Sequence, residues 1–241
     1  MECLINPERG RGEEPISGTT LICLTPNEAL ALGRNAEEAG WRRQPLYHSA
    51  RWSPPVGGGA LCGPALGAPM AVLTLEKMIA LGGRRFVVFG SCGALAPGLR
   101  IGDLLLPTWA VSQEGTSRHY PLSATPAVSS SLRTEVSTHL SLAGLSVHEG
   151  GVWTTDAPYR ETREMIRRFR GLGVTAVEME LSALLTVAAF RHVELAAVLV
   201  VSDLLSEGGW QAGFASKLFK TAMRGVGRSL FTFCRGKDTD G

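Results

Sequence analysis

The stretch RFVVFGSCGALAPGLRIGD, residues 85 to 103, decides the fold. Phe86 to Phe89 form an unbroken apolar run, rich in aromatic and β-branched side chains and closed by a glycine. Four such residues are too few for a helix and suit a short strand buried on both faces. The run LAAVLVV (195–201), between Glu194 and Ser202, reads the same way. Further candidate strands are TLICL (20–24), GALC (59–62), DLLLPTWAV (103–111), SVHEGGVWT (146–154) and VTAVE (174–178). Between them lie segments with apolar spacings of three and four, several ending at glycine as helix C-termini prefer: 26–40, 68–83, 127–144, 159–173, 180–192 and 209–233. Strands alternating with helices define an α/β protein whose sheet is flanked by helices in three layers.

With 241 residues, 44% of them apolar, the chain is long enough for one large core, and a single domain over 20–235 is expected. Residues 1–19 read as a loose polar extension and 236–241 as a polar tail. The net charge of +2, with Lys and Arg scattered, gives no reason to expect a nucleic-acid or membrane surface. No run approaches a membrane span in length, and the first residues lack the apolar core of a signal peptide. Five cysteines without a CxxC pair predict reduced thiols and a cytoplasmic setting. The five histidines show no ligand spacing, so no metal is expected.

In open α/β sheets, ligands bind beyond the C-terminal ends of the strands. After FVVF comes Gly90-Ser91-Cys92-Gly93, read as a small-residue turn whose amides and hydroxyl suit an anion or a sugar. After VTAV come Glu178, Met179 and Glu180, and after LAAVLVV come Ser202 and Asp203. Two carboxylates one methionine apart within an apolar run are costly unless each finds a partner. The alternative is that both cap the helix starting near Leu181. Asp203 has a similar alternative as a loop residue capping the next helix.

The pieces GSCGALAPGLRIGD, AVEME and VVSD, supported by TTDAPYRET (154–162), resemble the purine and uridine phosphorylase type of nucleoside phosphorylases and nucleosidases. The resemblance runs from about residue 20 to 235. It implies a twisted, mixed central sheet, cleavage of an N-glycosidic bond by phosphate or water, no cofactor, and a homo-oligomer, either dimer or hexamer. Glu180 would bind the ribose hydroxyls, with Met179 against the sugar. Glu178 would assist at ribose or base, or orient the segment. Asp203 would act as acid at the purine edge, beside Ser202, and this residue leans the reading towards purines. Ser91, Cys92 and Gly93 would line the substrate, and Tyr159 or Trp153 would supply an aromatic wall, with Arg160 within reach of a base carbonyl. The chemistry suits those roles, since cleavage builds positive charge on the sugar and negative charge on the base.

The chain departs from the family pattern where phosphate is held. Two arginines expected near the first strand and before the glycine turn are replaced by Ala29 and Val88. Phosphate would then rest on Ser91, backbone amides and Arg51. A hydrolytic alternative uses Glu28 to activate water, although a first-turn glutamate also suits a helix start. A third alternative is a member that binds nucleoside without turnover. A dinucleotide-binding oxidoreductase is disfavoured because TPNEAL, and no G-x-G-x-x-G, follows the first strand. His119 shares a polar loop with Glu114 and Arg118, which reads as surface.

Overall fold

A computed structural model describes residues 3–121 and 126–236. Along them run β1 (Thr19–Cys23), α1 (Pro26–Glu38), β2 (Arg42–Leu46), β3 (Ser49–Ser53), β4 (Ala60–Gly63), α2 (Ala68–Ala80), β5 (Arg85–Ala94) and β6 (Leu104–Gln113). They continue with α3 (Ser130–Leu142), β7 (Val147–Thr155), α4 (Arg163–Gly171), β8 (Val174–Glu178), α5 (Leu181–Phe190), β9 (Glu194–Ser206), β10 (Gly209–Ala212) and α6 (Lys217–Arg235). The expected α/β class and the mixed, helix-flanked sheet are what the chain adopts.

The strands follow the order β10-β9-β6-β7-β8-β5-β1-β4-β3-β2, and β5 pairs additionally with β9. That extra pairing closes β5, β8, β7, β6 and β9 into a ring, from which β1, β4, β3 and β2 extend as an open wing. The central ladders β4–β1, β1–β5 and β5–β9 are parallel, while β5–β8 and β6–β9 are antiparallel. Phe86 to Phe89 and Leu195 to Val201 are all buried, as strands covered on both faces require. Helix α5 is buried from Leu181 to Ala188 and packs against α2, so it is apolar nearly all round. Each buried Leu or Val of this kind contributes about 1.5–3 kcal/mol over leaving it exposed.

Several expectations are corrected. The Gly90–Gly93 stretch is strand: β5 runs on to Ala94, with a register shift in its β9 ladder between Cys92 and Gly93, and Gly93 and Ala94 pair with β8 as well. Small residues are needed there because a Cβ at Gly90 would lie 2.7 Å from Leu24 Cδ1. The segment 209–233 is not one helix. Gly209–Ala212 forms a hairpin strand with β9, and α6 starts only after Ser216, whose Oγ accepts from Phe219 N at 3.1 Å. Likewise α4 begins after Thr162, whose hydroxyl accepts from Met165 N, and Pro158–Arg160 form a separate 3-10 turn. Residues 3–18 are not loose throughout. Ile16 is buried and its amide donates to Leu81 O at 2.8 Å, while Lys77 Nζ donates to Glu8 O and Glu13 Oε2, both at 2.7 Å. Of the expected tail 236–241, residues 237–241 lie outside the described residues.

Candidate active site

Where β5, β8 and β9 meet, a cavity of about 530 Å³ opens, a size suited to a small organic ligand. Strand pairing brings its groups together: Cys92 lies opposite Val201 and Gly93 opposite Asp203 on β9, and Gly93 opposite Val177 on β8. Ser91, Cys92, Gly93, Glu178, Met179, Glu180, Ser202 and Asp203 all line this one cavity, as the sequence reading grouped them. Gly93 is required by close approach, since a Cβ there would meet Leu205 Cδ1 at 2.4 Å and Asp203 Oδ2 at 3.0 Å.

The two glutamates divide the possibilities weighed for them. Glu178 is buried and accepts from the amides of Glu180 (2.7 Å) and Leu181 (2.6 Å) and from the Thr154 hydroxyl, so it caps the start of α5. Glu180 turns to the other side, where Oε1 accepts from Gly67 N at 2.6 Å and Oε2 from Met179 N at 3.3 Å. Two backbone amides thus already hold the carboxylate expected to bind the ribose hydroxyls. Burial raises the proton affinity of both carboxyls above the ordinary range, and the charge of Glu180 adds to the effect on Glu178.

Asp203 is buried too. Trp210 Nε1 donates to its Oδ2 at 2.8 Å. The Ser202 hydroxyl lies 2.6 Å from Asp203 Oδ1 and 3.1 Å from the Cys92 carbonyl, and its single hydrogen serves one of them at a time. Burial, with the charges of Asp203 and Glu178, pushes the Cys92 thiol well above its usual range, so it stays neutral and packs. Glu161 also faces the cavity, half-buried, and no described residue donates a hydrogen bond to its carboxylate. Burial and the charge of Asp203 push its carboxyl up to about 7.

Tyr159 stands at the cavity rim, fully exposed. Trp153 does not reach the cavity: it is wholly buried, stacked on Phe169 at 4.3 Å between ring centres. It supports Val177 and Leu205 from behind, in the same apolar cluster. Arg160 is exposed and lies outside the lining. Aromatic walls come instead from Trp210 and Phe214, which sequence reasoning placed inside a helix.

The phosphate-site expectations fare differently. Arg51 sits on β3 and lines a separate hollow, with its guanidinium donating to Glu14 O at 3.0 Å and to Gln44 Oε1. It is buried there by its β2 and N-terminal neighbours, which corrects its assignment to the cavity. Glu28 lies outside the lining and accepts from the Thr25 hydroxyl at 2.5 Å, although Thr25 itself does line the cavity. Val88 and Ala29 are buried in the core. Four carboxylates line the cavity among the described residues, and no Arg, Lys or His does. His119 and Arg118 are exposed elsewhere, while Glu114 is buried and accepts from Ser182 Oγ at 2.9 Å, anchoring α5. No cluster of three or more His, Cys, Asp and Glu among the described residues is arranged for a metal. No helix among them is long and apolar enough to cross a membrane.

These features define an α/β protein with an acidic, aromatic-rimmed ligand cavity at the joined ends of its central strands. The chain belongs to the phosphorylase superfamily, whose model matches residues 22–231. It is 28% identical over 149 residues to the guanosine phosphorylase of Halorubrum lacusprofundi, covering 61% of this chain and 62% of that protein. A DeoD-type purine nucleoside phosphorylase of Bacillus cereus is 31% identical over 149 residues, covering 61% and 63%. The matched stretch thus spans less than two thirds of these relatives. Purine nucleoside phosphorylase from Toxoplasma gondii, solved in complex with immucillin-H, has the same fold, with a TM-score of 0.80 at 17% identity over 98% of this chain and 97% of that one.

Proposed function

We propose that this protein cleaves the N-glycosidic bond of a purine nucleoside, with inorganic phosphate as the entering group and no further cofactor. The observation that carries this reading is the meeting of Glu180 and Asp203 in one cavity with the aromatic side chains of Trp210, Phe214 and Tyr159 at hand. Glu180 would accept the ribose hydroxyls and stabilise the positive charge that develops on the sugar as the bond opens. Its two backbone donors fix it before the sugar arrives, so little reorganisation is needed at the transition state. Met179 would pack on the sugar, and Glu178, tied to α5, would hold the segment in place. Asp203 would face the polar edge of the base, with Ser202 and Trp210 orienting its carboxylate. The likeness to guanosine and purine nucleoside phosphorylases from Halorubrum and Bacillus supports the purine and phosphate assignments.

Ser91 would contact phosphate from β5, with a cation reaching in from outside the lining, as a neighbouring copy in a homo-oligomer would provide. The free buried thiols suit the reducing cytoplasm. The absence of Arg, Lys and His from the described lining favours a second reading, hydrolysis by water. Product analysis decides between them. Phosphorolysis requires ribose 1-phosphate to form from inosine or guanosine in proportion to added phosphate. Free ribose at equal rates with and without phosphate would overturn it in favour of hydrolysis, and binding without any product would leave a nucleoside-binding protein.

A further inference from the structure

Breaking a bond to a purine requires a proton for the departing base, and the cavity holds two groups near that task. Asp203 is poorly placed to be the store. Its Oδ2 already accepts from the Trp210 indole and its Oδ1 faces the Ser202 hydroxyl, so both oxygens meet donors. Glu161 is in the opposite situation. It lines the same cavity at the end of the 158–160 turn, half-buried, and receives no hydrogen bond from any described residue. A carboxylate without donors next to a second carboxylate is the arrangement in which one of the pair retains its proton.

Resting on the nucleoside-cleaving reading, we propose that Glu161 is the catalytic residue that supplies the proton to the leaving base, and that Asp203 is the charged neighbour that keeps this proton in place. As the bond between the anomeric carbon and the base nitrogen breaks, its electron pair moves into the purine ring. N7 of the base takes the proton from Glu161, which becomes a carboxylate. The entering phosphate oxygen forms the new bond to the anomeric carbon, and the proton it gives up restores Glu161. No oxidant or further reactant is involved.

The surroundings of Glu161 agree. The titratable groups that share its cavity are Tyr159 from its own turn, Cys92 from β5, Glu178 at the end of β8, Glu180 just beyond it, and Asp203 from β9. None is a cation, so nothing in the described lining pulls the proton off. The rise of its carboxyl to about 7, from burial first and the Asp203 charge second, leaves it substantially protonated at neutral pH.

The test compares two substrates in the full-length protein and its Glu161→Gln variant. Inosine needs a proton at N7. In 7-methylguanosine that nitrogen carries a methyl group and a fixed positive charge, so its cleavage needs none. With inosine, wild-type kcat/KM should fall as pH rises through about 7. The variant should lose on the order of 10²-fold or more with inosine, together with that pH limb, while 7-methylguanosine cleavage at about pH 6 stays within roughly threefold of wild type. Retained 7-methylguanosine cleavage also shows that the variant is folded. Equal losses on both substrates would assign Glu161 to binding or packing and overturn the proposal. So would an unchanged inosine rate and pH profile. A wild-type protein that cleaves neither substrate would refute the nucleoside reading itself, and the role of Glu161 with it.

Discussion

Replacing Gly93 by alanine tests the geometry of the cavity at its tightest point. The backbone at Gly93 does not need a positive φ, so the obstacle to a side chain is purely steric. The new methyl carbon would lie 2.4 Å from Leu205 Cδ1, 3.0 Å from Asp203 Oδ2 and 3.3 Å from Val177 Cγ1. Carbon atoms sit comfortably at about 3.5–4.0 Å, so Leu205 must move by more than an ångström or the strand must shift. Leu205 has little freedom, because it is buried in the cluster with Val177, Trp153 and Phe169. Overpacking of this kind costs about 1–3 kcal/mol. The Asp203 carboxylate, 3.0 Å from the new carbon, must give as well, which strains its hydrogen bonds with Trp210 and Ser202. A displacement of about 1 Å in a positioned group can cost on the order of 10²-fold in rate, equivalent to about 2.7 kcal/mol at the transition state. Urea unfolding should therefore show a lower midpoint with an unchanged slope, and kcat/KM for nucleoside cleavage should fall about 10²-fold. Adding Leu205→Ala removes the 2.4 Å clash but not the 3.0 Å contact with Asp203. The double variant should then regain part of the stability lost to the clash while remaining slow. A Gly93→Ala protein with wild-type stability and wild-type kcat/KM would refute the assigned packing of β5 against β9.

Glu180→Gln should preserve the fold, because the amide oxygen can still accept from Gly67 N, yet lower kcat/KM by roughly 10²–10³-fold through loss of charge facing the sugar; steady-state kinetics with inosine checks it, and an unchanged value removes Glu180 from the mechanism. Stability should decline as pH rises from about 5 to 8: Glu161, Glu178 and Glu180 have folded-state values above the ordinary 4.5, so across that window the unfolded chain binds fewer protons than the folded one. Thermal midpoints measured across the series check the sign, and midpoints that climb towards pH 8 would contradict it.

The parts of this molecule legible in its sequence are those where composition and position pull apart. Phe86–Phe89 and Leu195–Val201 are apolar without interruption because helices cover both faces. Glu178, Glu180 and Asp203 stood out for the same reason, as acids at the ends of apolar runs. The edge strands were invisible. RRQPL of β2 and GWQA of β10 are largely or wholly exposed, so no buried face imposes an alternation, and only their hydrogen-bonded partners make them strands. Missing β10 hid Trp210 and Phe214, whose spacing merged with the true helix behind them. Missing β2 and β3 left Arg51 looking like a loop cation available to phosphate. Glu161 was masked by its charged neighbours in YRETRE, which read as an ordinary solvated helix start. Gly90–Gly93 misled differently, since small residues signal a turn and also permit close packing, and here Leu24 and Leu205 demand the latter.

The closed ring of β5, β8, β7, β6 and β9 has a consequence for how such a protein can diverge. Asp203 and Gly93 face each other across a ladder anchored on both sides, so altering either disturbs strands that also complete the ring. Trp210, Phe214 and Tyr159 sit outside it, on or just beyond a hairpin strand and on a short turn. Mutational drift can therefore explore new walls and new base partners on these appendages while the bond-breaking geometry stays fixed. In a lineage descended from this chain, innovation in substrate choice should accumulate at 158–160 and 209–214, with the ring strands and Glu161 as the inherited constant.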